Sequence, residues 1–568
     1  MKAWITWFNH IKTDTITGCY AHLVFISSLN IRYGNTMSES RLAYWVRRHP
    51  VKSQRILEIL PGSVSWFLIT FPIWGAFLAP SLVAYYIITF NVYWLYRVIT
   101  MSGLAIFAHF KIQASKRYDW VGDLKVFPDW EKVHHIVVIP TYMEPEKTLR
   151  RTLTKLAEQT FPTQRMAVML SFEKREGDPG KQKAIKMKME FENKFGYFWT
   201  TFHPDIEGEV KGKSSNTSWG AKKAKKKLID EEGVPIEYVT ITSEDADAVM
   251  DPNYFAMLAY HFLDSPEKYY RIWQAGIMFY NNIWSVPAPV RVLAATFSVA
   301  QLNVLMRPDS LMSFSTYSIS LKLIDEIGYW DVDVIPEDYR MFFKAFYATK
   351  GRLEVEPMFI PVYNDAAEAD GFWSTMENQY EQIKRWAWGA SDDAYIIKQW
   401  ILVPDMPFWD KTMRSLRVLE GHFMWPVTWF AITLGALLPT LLNPEFSQTV
   451  LGKTLPQTSS MILTFTLVGT LTMFVLDAIN RPPRPNKVSW AKKLLQPIEF
   501  FLMPIIGFFF SALPGIDAHT RLMLGRYIKP KISPLLPARI RKVLWSILPI
   551  QIILPPTPAA PIQLFYSS

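Results

Sequence analysis

The apolar positions of this chain form long runs near its two ends and short runs in its middle. Across residues 61–110 the only formal charge is Arg97, and that length suffices for two membrane-spanning helices of about 20 residues each. We place the break between these two helices near Ala79-Pro80-Ser81.

Three further apolar blocks lie towards the C-terminal end. Residues 418–442 and 460–479 each predict one crossing, preceded by an interfacial amphipathic helix over residues 401–417. Residues 443–457 carry two charges and suit an external loop. The last block, residues 498–516, is short, is interrupted by prolines and has basic residues on both flanks, which favours a re-entrant hairpin over a full crossing.

Basic residues gather before the first predicted span and after the second, as Arg47 and Lys116 illustrate. Because Lys and Arg accumulate on the cytoplasmic side of a membrane, both flanks are expected to face the cytoplasm. The sequence thus predicts a multi-pass protein of the cell membrane, plasma or inner. Its N-terminal segment 1–60, its central domain 118–400 and its tail 517–568 would all be cytosolic.

The composition agrees with a membrane location, since 49% of residues are hydrophobic and 15% are aromatic. We interpret the net charge of +10 as a topology signal and an attraction to anionic lipid. No nucleic-acid recognition motif is present, so a nucleic-acid partner is not expected. The single Cys19 excludes an internal disulfide framework and fits a reducing compartment.

The central domain alternates short apolar runs with helical patterns. The runs predict strands at residues 135–140, 166–171, 197–203, 236–242 and 270–275, and a helix is predicted at residues 146–158. Strands alternating with helices predict an α/β fold with a doubly wound, mostly parallel sheet. Ligands of such sheets bind beyond the carboxyl ends of the strands.

Two carboxylates follow one of these strands in the run Ile241-Thr242-Ser243-Glu244-Asp245-Ala246-Asp247. Alternate side chains of an extended backbone point the same way, so Asp245 and Asp247 could converge on one divalent cation. Mg²⁺ or Mn²⁺ is commonly held by one or two carboxylates together with substrate phosphates. The alternative interpretation is a polar loop, because Asp is a frequent turn residue.

Two more segments carry candidate chemistry. In residues 211–216, Lys213 stands among Gly and small hydroxyl residues before a helical pattern and could cradle phosphates, although a flexible basic loop would have the same composition. Asp338 opens the helical pattern over residues 339–347. It could act as a general base at the wall of the crevice, or serve only as a helix cap.

A last group of side chains lies at helical spacing near the end of the central domain. Gln382, Arg385 and Trp386 share one helical face and present an amide, a guanidinium and an indole together. Arginine suits diphosphate oxygens, and tryptophan offers an apolar plate for a pyranose ring. An amphipathic helix resting on the membrane is the competing interpretation.

The order of these elements resembles the membrane-embedded family 2 glycosyltransferases with a GT-A fold, a group that includes cellulose, chitin and hyaluronan synthases. The resemblance runs through HIVVIPTYMEPE, KGKSSN, ITSEDAD, VIPED and QIKRW, which are spread over residues 135–386. Five motifs in the same order, flanked by predicted spans, are more specific than any one of them alone.

Carried over to this sequence, the resemblance implies a role for each matching position. It implies nucleotide-sugar contacts from Thr141, Glu144, Glu173, Lys213, Asp245, Gln382 and Arg385. It further implies metal ligands at Asp245 and Asp247, a catalytic base at Asp338 and acceptor stacking on Trp386.

Three departures from the family pattern stand out. Met143 replaces a common Asn, and Glu173 replaces a base-contacting Asp with a side chain one methylene longer. No F-x-V-T-x-K gating segment follows the last predicted span. The first two departures affect the expected shape of the nucleotide pocket. The third affects the expectation of processive polymerisation.

The resemblance implies inverting sugar transfer from a nucleotide donor, expected to be a UDP-sugar, to a carbohydrate acceptor at the membrane, with Mg²⁺ or Mn²⁺. Polysaccharide synthesis is the first expectation. Transfer of a single sugar to a polyprenyl-phosphate or other lipid-linked acceptor is one alternative, and a noncatalytic membrane scaffold or transporter is another. The sequence leaves the sugar, the linkage and the oligomeric state open.

Overall fold

The computed structural model of the protein describes residues 40–484 and 496–528. The interpretations of Cys19, of most of segment 1–60 and of the tail beyond residue 528 lie outside these described residues. The described residues fall into two units, one that ends at His49 and one that begins at Pro50. In the first unit, helix α1 covers Arg41–Arg48 and begins at Ser40, whose side chain accepts a hydrogen bond from the backbone amide of Ala43.

All remaining elements belong to the second unit, and eight strands form its sheet. The strands are β1 His134–Thr141, β2 Met166–Glu173, β3 Tyr197–His203, β4 Val239–Ser243, β5 Val249–Met250, β6 Arg271–Met278, β7 Tyr317–Ser320 and β8 Glu354–Tyr363. Their order across the sheet is β3-β2-β1-β4-β7-β6-β8-β5.

Helices flank this sheet in the sequence and cover its faces. In the central domain and before it they are α2 Pro50–Leu78, α3 Pro80–Ser115, α4 Trp120–Leu124, α5 Glu146–Ala157, α6 Asp178–Phe191, α7 Lys213–Lys225, α8 Tyr254–Asp264, α9 Ala288–Leu305, α10 Leu321–Glu326, α11 Glu337–Ala348, α12 Phe372–Ala387 and α13 Asp393–Leu402. After it they are α14 Phe408–Leu434, α15 Leu438–Leu442, α16 Pro444–Gln448, α17 Val450–Phe465, α18 Leu467–Asn480, α19 Met503–Gly507 and α20 Leu513–Met523.

The predicted α/β class is confirmed, with the sheet inserted between apolar helices. Strands β1 and β2 are almost fully buried and pair in parallel, with Val137 opposite Val168. Such runs are apolar on both faces because helices cover both sides of a parallel sheet. Strand β1 also pairs in parallel with β4, and β2 pairs in parallel with β3.

The far half of the sheet contains its antiparallel pairs and three strands that the sequence did not predict. Strand β7 pairs antiparallel with both β4 and β6, and the short strand β5 pairs antiparallel with β8. Strands β5, β7 and β8 were not predicted, since β5 and β7 are short and β8 contains prolines. The strand expected from residue 236 begins only at Val239, because Ile236–Tyr238 forms a 3₁₀ turn.

Five described helical segments are long and apolar enough to cross a membrane. They are Pro50–Leu78, Pro80–Ser115, Ala288–Leu305, Val450–Asn480 and Ile498–Met523. The first two meet at Ala79, where the sequence pattern predicted a break. The sequence did not predict a span at helix α9, Ala288–Leu305, and half of its most apolar window is buried inside the protein.

The C-terminal helices depart from the predicted boundaries. A separate helix over residues 401–417 is not observed, because α14 begins at Phe408 and runs without interruption through residue 417. The crossing predicted at residues 418–442 falls largely on α14, which is not among the five candidate spans. Residues 443–457 form α16 and the start of α17 in place of a loop. The re-entrant hairpin at 498–516 is not observed either, since helical geometry continues through a π-turn at Phe508–Ala512 to Met523.

Candidate active site

A cavity of about 680 Å³ opens at the carboxyl ends of β1, β2 and β4. It is lined by all ten residues that the sequence singled out: Thr141, Glu144, Glu173, Lys213, Asp245, Asp247, Asp338, Gln382, Arg385 and Trp386. The ends of β1, β2 and β4 bring together the first part of this list, because parallel strands finish at one edge of a sheet. This part consists of Thr141, Glu144, Glu173, Asp245 and Asp247. Helices α7, α11 and α12 supply Lys213, Asp338 and the last three residues.

Lys213 is the cation at the centre of this cavity. Its Nζ lies 2.6 Å from Asp245 Oδ1 and 2.9 Å from Glu337 Oε1, and it donates a hydrogen bond of 2.7 Å to the carbonyl of Ser315. Burial disfavours the charge, but Asp245, Glu337 and Asp338 outweigh it and hold the pKa of Lys213 well above its usual range. Lys213 therefore stays an ammonium group in contact with the carboxylates of two different elements.

The two aspartates of the ITSEDAD motif have different partners. Asp245 Oδ2 accepts hydrogen bonds from the hydroxyl of Ser315 and from Asn364 Nδ2, the latter at 3.1 Å. Asp247 Oδ2 accepts a hydrogen bond of 2.9 Å from the backbone amide of Asp365. Asp245 is thus charge-paired within the protein, whereas no Lys or Arg of the described residues forms a salt bridge with Asp247.

The surroundings of Asp247 fit a divalent cation. Burial and the neighbouring carboxylates of Asp365, Asp245 and Glu144 raise the pKa of Asp247 well above its ordinary value. Such crowding of carboxylates is relieved by a bound cation. No three His, Cys, Asp or Glu side chains within 40–484 and 496–528 are arranged to hold one ion, so a bound cation would need donor phosphate oxygens as further ligands.

Asp338 lies in the first turn of α11, where its carboxylate is held by two backbone amides. Oδ2 accepts from the amide of Ser315 and Oδ1 accepts from the amide of Tyr339, both at 3.0 Å. Burial raises the pKa of Asp338, and the charge of Lys213 opposes that rise. A carboxylate with a raised pKa and a fixed orientation at a cavity wall suits proton transfer.

The loop that presents Ser315 is fixed by a residue of β6. Gln274 is fully buried, accepts a 2.7 Å hydrogen bond from the amide of Phe314 and donates to the carbonyls of Phe314 and Thr316. Ser315 has a φ of 58°, which is unusual for a residue with a Cβ. Gln274 therefore holds a strained loop that in turn orients Asp338.

Helix α12 places Gln382, Arg385 and Trp386 along one wall of the cavity. Burial lowers the pKa of Arg385, and the charge of Glu381, one turn earlier on the helix, opposes that shift. The indole of Trp386 packs against Phe279 and Phe297, with ring centroids 5.5 and 5.2 Å away. The wall thus offers a cation beside an aromatic platform.

The opposite end of the cavity holds the residues expected to contact a nucleotide base. Glu173 is buried and pairs with Arg175, whose guanidinium carbon lies 3.9 Å from the ring centroid of Tyr142. Met143 adopts a φ of 60°. The longer carboxylate at position 173 is therefore engaged by an arginine that the sequence reasoning did not single out.

Several cavity residues were missed from the sequence. Asn364 and Asp365 follow the apolar run of β8, and the rule that polar residues at strand ends face a ligand would have found them. Glu337 was seen only as part of a motif, and Arg175 had no sequence signal of its own. Their proximity to the cavity depends on contacts between distant elements.

Comparison with known proteins gives one family match. Residues 240–479 match the model described as glycosyl transferase family group 2. The match includes the ITSEDAD, VIPED and QIKRW motifs and supports a glycosyltransferase domain of this group in that part of the chain. No curated protein matches the chain.

Solved structures give weak similarities. A mannosyltransferase, PcManGT from Pyrobaculum calidifontis in complex with GDP-Man and Mn²⁺, is 12% identical, with coverage of 67% of this chain and 98% of that chain and a TM-score of 0.37. S. aureus TarS 1-349 in complex with UDP-GlcNAc is 13% identical, with coverage of 63% and 95% and a TM-score of 0.33.

Proposed function

We propose that this chain is an inverting glycosyltransferase of the GT-A type, which moves a sugar from a nucleotide diphosphate donor to a hydroxyl of a carbohydrate acceptor. The cavity would lie on the cytoplasmic side of the plasma or inner membrane, and we take a UDP-sugar as the donor. The observation that carries the proposal is the single cavity shared by Asp338, the Asp245–Asp247 pair, Arg385 and Trp386.

In this proposal the donor diphosphate binds to two cations that line the same cavity, Lys213 and Arg385. Lys213 is held by two carboxylates and can turn from them to phosphate oxygens. Arg385 interacts electrostatically with Glu381 of the same helix and can do likewise. Charge-assisted hydrogen bonds from arginine to phosphate are among the stronger ones in proteins. Both side chains would stabilise negative charge on the departing nucleotide.

A divalent cation, when bound, would supply further positive charge to the diphosphate. Asp247 and Asp245 are the residues that would hold it. A cation would compensate Asp247 most, because burial and neighbouring carboxylates raise its pKa. The proposal takes Mg²⁺ or Mn²⁺, since oxygen ligands of this kind suit both.

Asp338 would accept the proton of the attacking acceptor hydroxyl. The amides of Ser315 and Tyr339 fix the orientation of its carboxylate, so the base is positioned before the acceptor arrives. Attack on the face opposite the departing diphosphate inverts the anomeric centre, and the transition state has oxocarbenium character.

The test is Asp338→Asn in purified, detergent-solubilised protein, with a panel of nucleotide sugars and Mn²⁺. We expect the variant to bind UDP normally and to lose transfer by about 100-fold or more, the usual contribution of general base catalysis. Asp333→Asn, an exposed aspartate five residues earlier, is the matched control. Near-normal transfer by Asp338→Asn would refute the base assignment.

A second experiment separates the proposed acceptors. Sizing of the products distinguishes a growing polysaccharide from a single sugar on a polyprenyl phosphate. Absence of metal-dependent UDP release with every donor in the panel would favour a noncatalytic scaffold or transporter and would reject the enzyme proposal as a whole.

A further inference from the structure

The cavity extends well beyond the residues that the proposed chemistry uses. Its second lobe is walled by α9 and α14 and begins at Trp386. Helix α9 contributes Phe297, Gln301 and Val304, and α14 contributes Arg417, Val418, Gly421, His422 and Trp425. Both sets follow helical spacing, so each is one face of its helix.

Aromatic rings connect this lobe to the proposed site of transfer. Trp386 contacts Phe297 at a centroid distance of 5.2 Å, and Phe297 contacts Trp425 at 6.2 Å. A saccharide that ends at Trp386 would therefore meet two further rings along the same path. Apolar ring faces of this kind pack against the faces of pyranose rings.

The lobe contains one polar side chain that a buried carboxylate holds in place. His422 Nδ1 lies 2.6 Å from Asp393 Oδ1, and Asp393 is fully buried and does not line the cavity. The carboxylate accepts the Nδ1 proton and so fixes the ring orientation. Nε2 is then the nitrogen left to meet a ligand. The His422 side chain lines the cavity, and only 7% of the residue's surface is exposed.

The packing around His422 also restricts its position. A Cβ on Gly389 would come within 3.3 Å of Nε2, so the glycine leaves room for the imidazole. The ring of Tyr339, next to Asp338 in the chain, lies 6.0 Å from the imidazole centroid. His422 is thus held near the base on the acceptor side of the cavity.

The charges of the lobe favour a neutral ligand. Arg417 is the lobe's only Lys or Arg in the part of the chain that the structure describes, and its guanidinium is neutralised by Asp309 at 2.5 Å. A phosphate in this lobe would therefore lack an available cation. Sugar hydroxyls both donate and accept hydrogen bonds and so match Nε2 in either protonation state of the ring.

We propose that His422, held by Asp393, is an acceptor-positioning residue. Its Nε2 hydrogen-bonds a hydroxyl of the sugar unit that precedes the reacting one, with that unit lying against the cavity-facing surfaces of Phe297 and Trp425. The inference rests on the proposed function and makes the acceptor a saccharide of at least two units.

Two substitutions separate the two nitrogens of His422. His422→Asn keeps an amide near the position of Nδ1, in reach of Asp393, and removes the group at Nε2. His422→Gln places an amide near Nε2 and loses the contact with Asp393. His134→Asn, at the start of β1 and outside the cavity, is the matched control.

The experiment uses the full chain in detergent. The donor is the nucleotide sugar of the panel from which the protein releases the most nucleotide. Acceptor probes are two ladders: glucose, cellobiose and cellotriose, and N-acetylglucosamine, chitobiose and chitotriose. We expect a disaccharide to stimulate transfer more than its monosaccharide. We also expect His422→Asn to raise the KM for the disaccharide about three- to tenfold, the effect of one lost neutral hydrogen bond.

The monosaccharide does not reach the proposed contact, so its KM should rise less than that of the disaccharide. The control His134→Asn should leave donor hydrolysis and both KM values unchanged. His422→Gln should retain a lower disaccharide KM than His422→Asn, and it serves as the test if the Asn variant does not fold. An unchanged disaccharide KM, equal stimulation by mono- and disaccharides, or stimulation by a polyprenyl phosphate alone would overturn the inference. Absence of donor hydrolysis in the unaltered protein would instead overturn the proposed function.

Discussion

Lys213 Nζ contacts Asp245 Oδ1 at 2.6 Å, which joins the start of α7 to the loop after β4 at the cavity wall. Lys213 also contacts Glu337 at 2.9 Å, so one cation bridges the loop after β4 to the helix that carries Asp338. The bridge places the residue that would receive the diphosphate beside the residue that would act as base.

Lys213→Met should therefore weaken donor binding and also destabilise the fold. Loss of a charge-assisted hydrogen bond costs about 1.5–3 kcal/mol, which predicts an increase of about 10- to 100-fold in the Kd for UDP. Titration calorimetry would measure it. Lys223→Met, an exposed lysine on the same helix, should leave the Kd unchanged, and an equal effect of both variants would contradict the role of Lys213.

Asp247→Asn should separate metal dependence from folding. Burial and nearby carboxylates oppose the charge of Asp247, so the neutral Asn should leave the metal-free protein at least as stable as before. The stabilisation by Mn²⁺ in a thermal melt should be lost, because one proposed ligand is gone. Undiminished stabilisation would exclude Asp247 as a ligand, and the exposed Asp178 offers the matched Asp→Asn control.

The pH dependence of stability should reflect Glu144. Burial and the charge of Asp365 raise the pKa of Glu144 from 4.5 to about 7, so the fold favours its protonated form. This contribution is complete below pH 4.5 and is lost as the pH rises through about 7. Its size is at most about 3 kcal/mol.

Glu144→Gln removes that loss, because the amide stays neutral at every pH. In metal-free protein we expect the variant to be more stable than the unaltered chain at about pH 8, with a much smaller difference at about pH 5. Denaturant titrations at the two pH values measure the difference. Glu158→Gln, on the surface at the end of α5, should show no such change, and a gain confined to low pH would reverse the assignment.

Gln274→Leu should lower both stability and transfer. The substitution leaves the amide of Phe314 and two carbonyls without their buried partner, which costs about 1–3 kcal/mol. Release of the loop also frees Ser315, whose amide orients Asp338, so kcat should fall while the Kd for UDP changes little. Gln182→Leu on the exposed face of α6 is the control, and an unchanged kcat would show that the loop does not need Gln274.

The aromatic-rich stretch 270–284 illustrates what burial decides. Its composition fits two interpretations of Gln274 and Asn282: part of a sugar pocket or part of a packed aromatic core. Gln274 holds a loop, and Asn282 accepts from the amide of Ala366 and donates to Glu368. Both act on the backbone of loops that border the cavity, which a pattern of residue types alone does not distinguish from ligand contact.

The sequence by itself determined the α/β class, the first two apolar helices and the residues that gather at one edge of the sheet. These follow from local physics: apolar periodicity, the length of a span, and the rule that parallel strands end together. Thr141, Asp245 and Asp247 could be placed because each directly follows or ends a strand.

Only the tertiary structure decided which of those residues are paired and which are available. Lys213 is bridged to Glu337 and His422 is held by Asp393, over separations of more than 100 and of 29 positions in the chain. Glu173 is engaged by Arg175, which is near in sequence but was not recognisable as its partner from the residue types alone. Burial sets the cost of each charge, and burial depends on how the sheet, α11 and α14 pack together. The same dependence explains why α9 and the C-terminal helices could not be bounded by hydropathy alone.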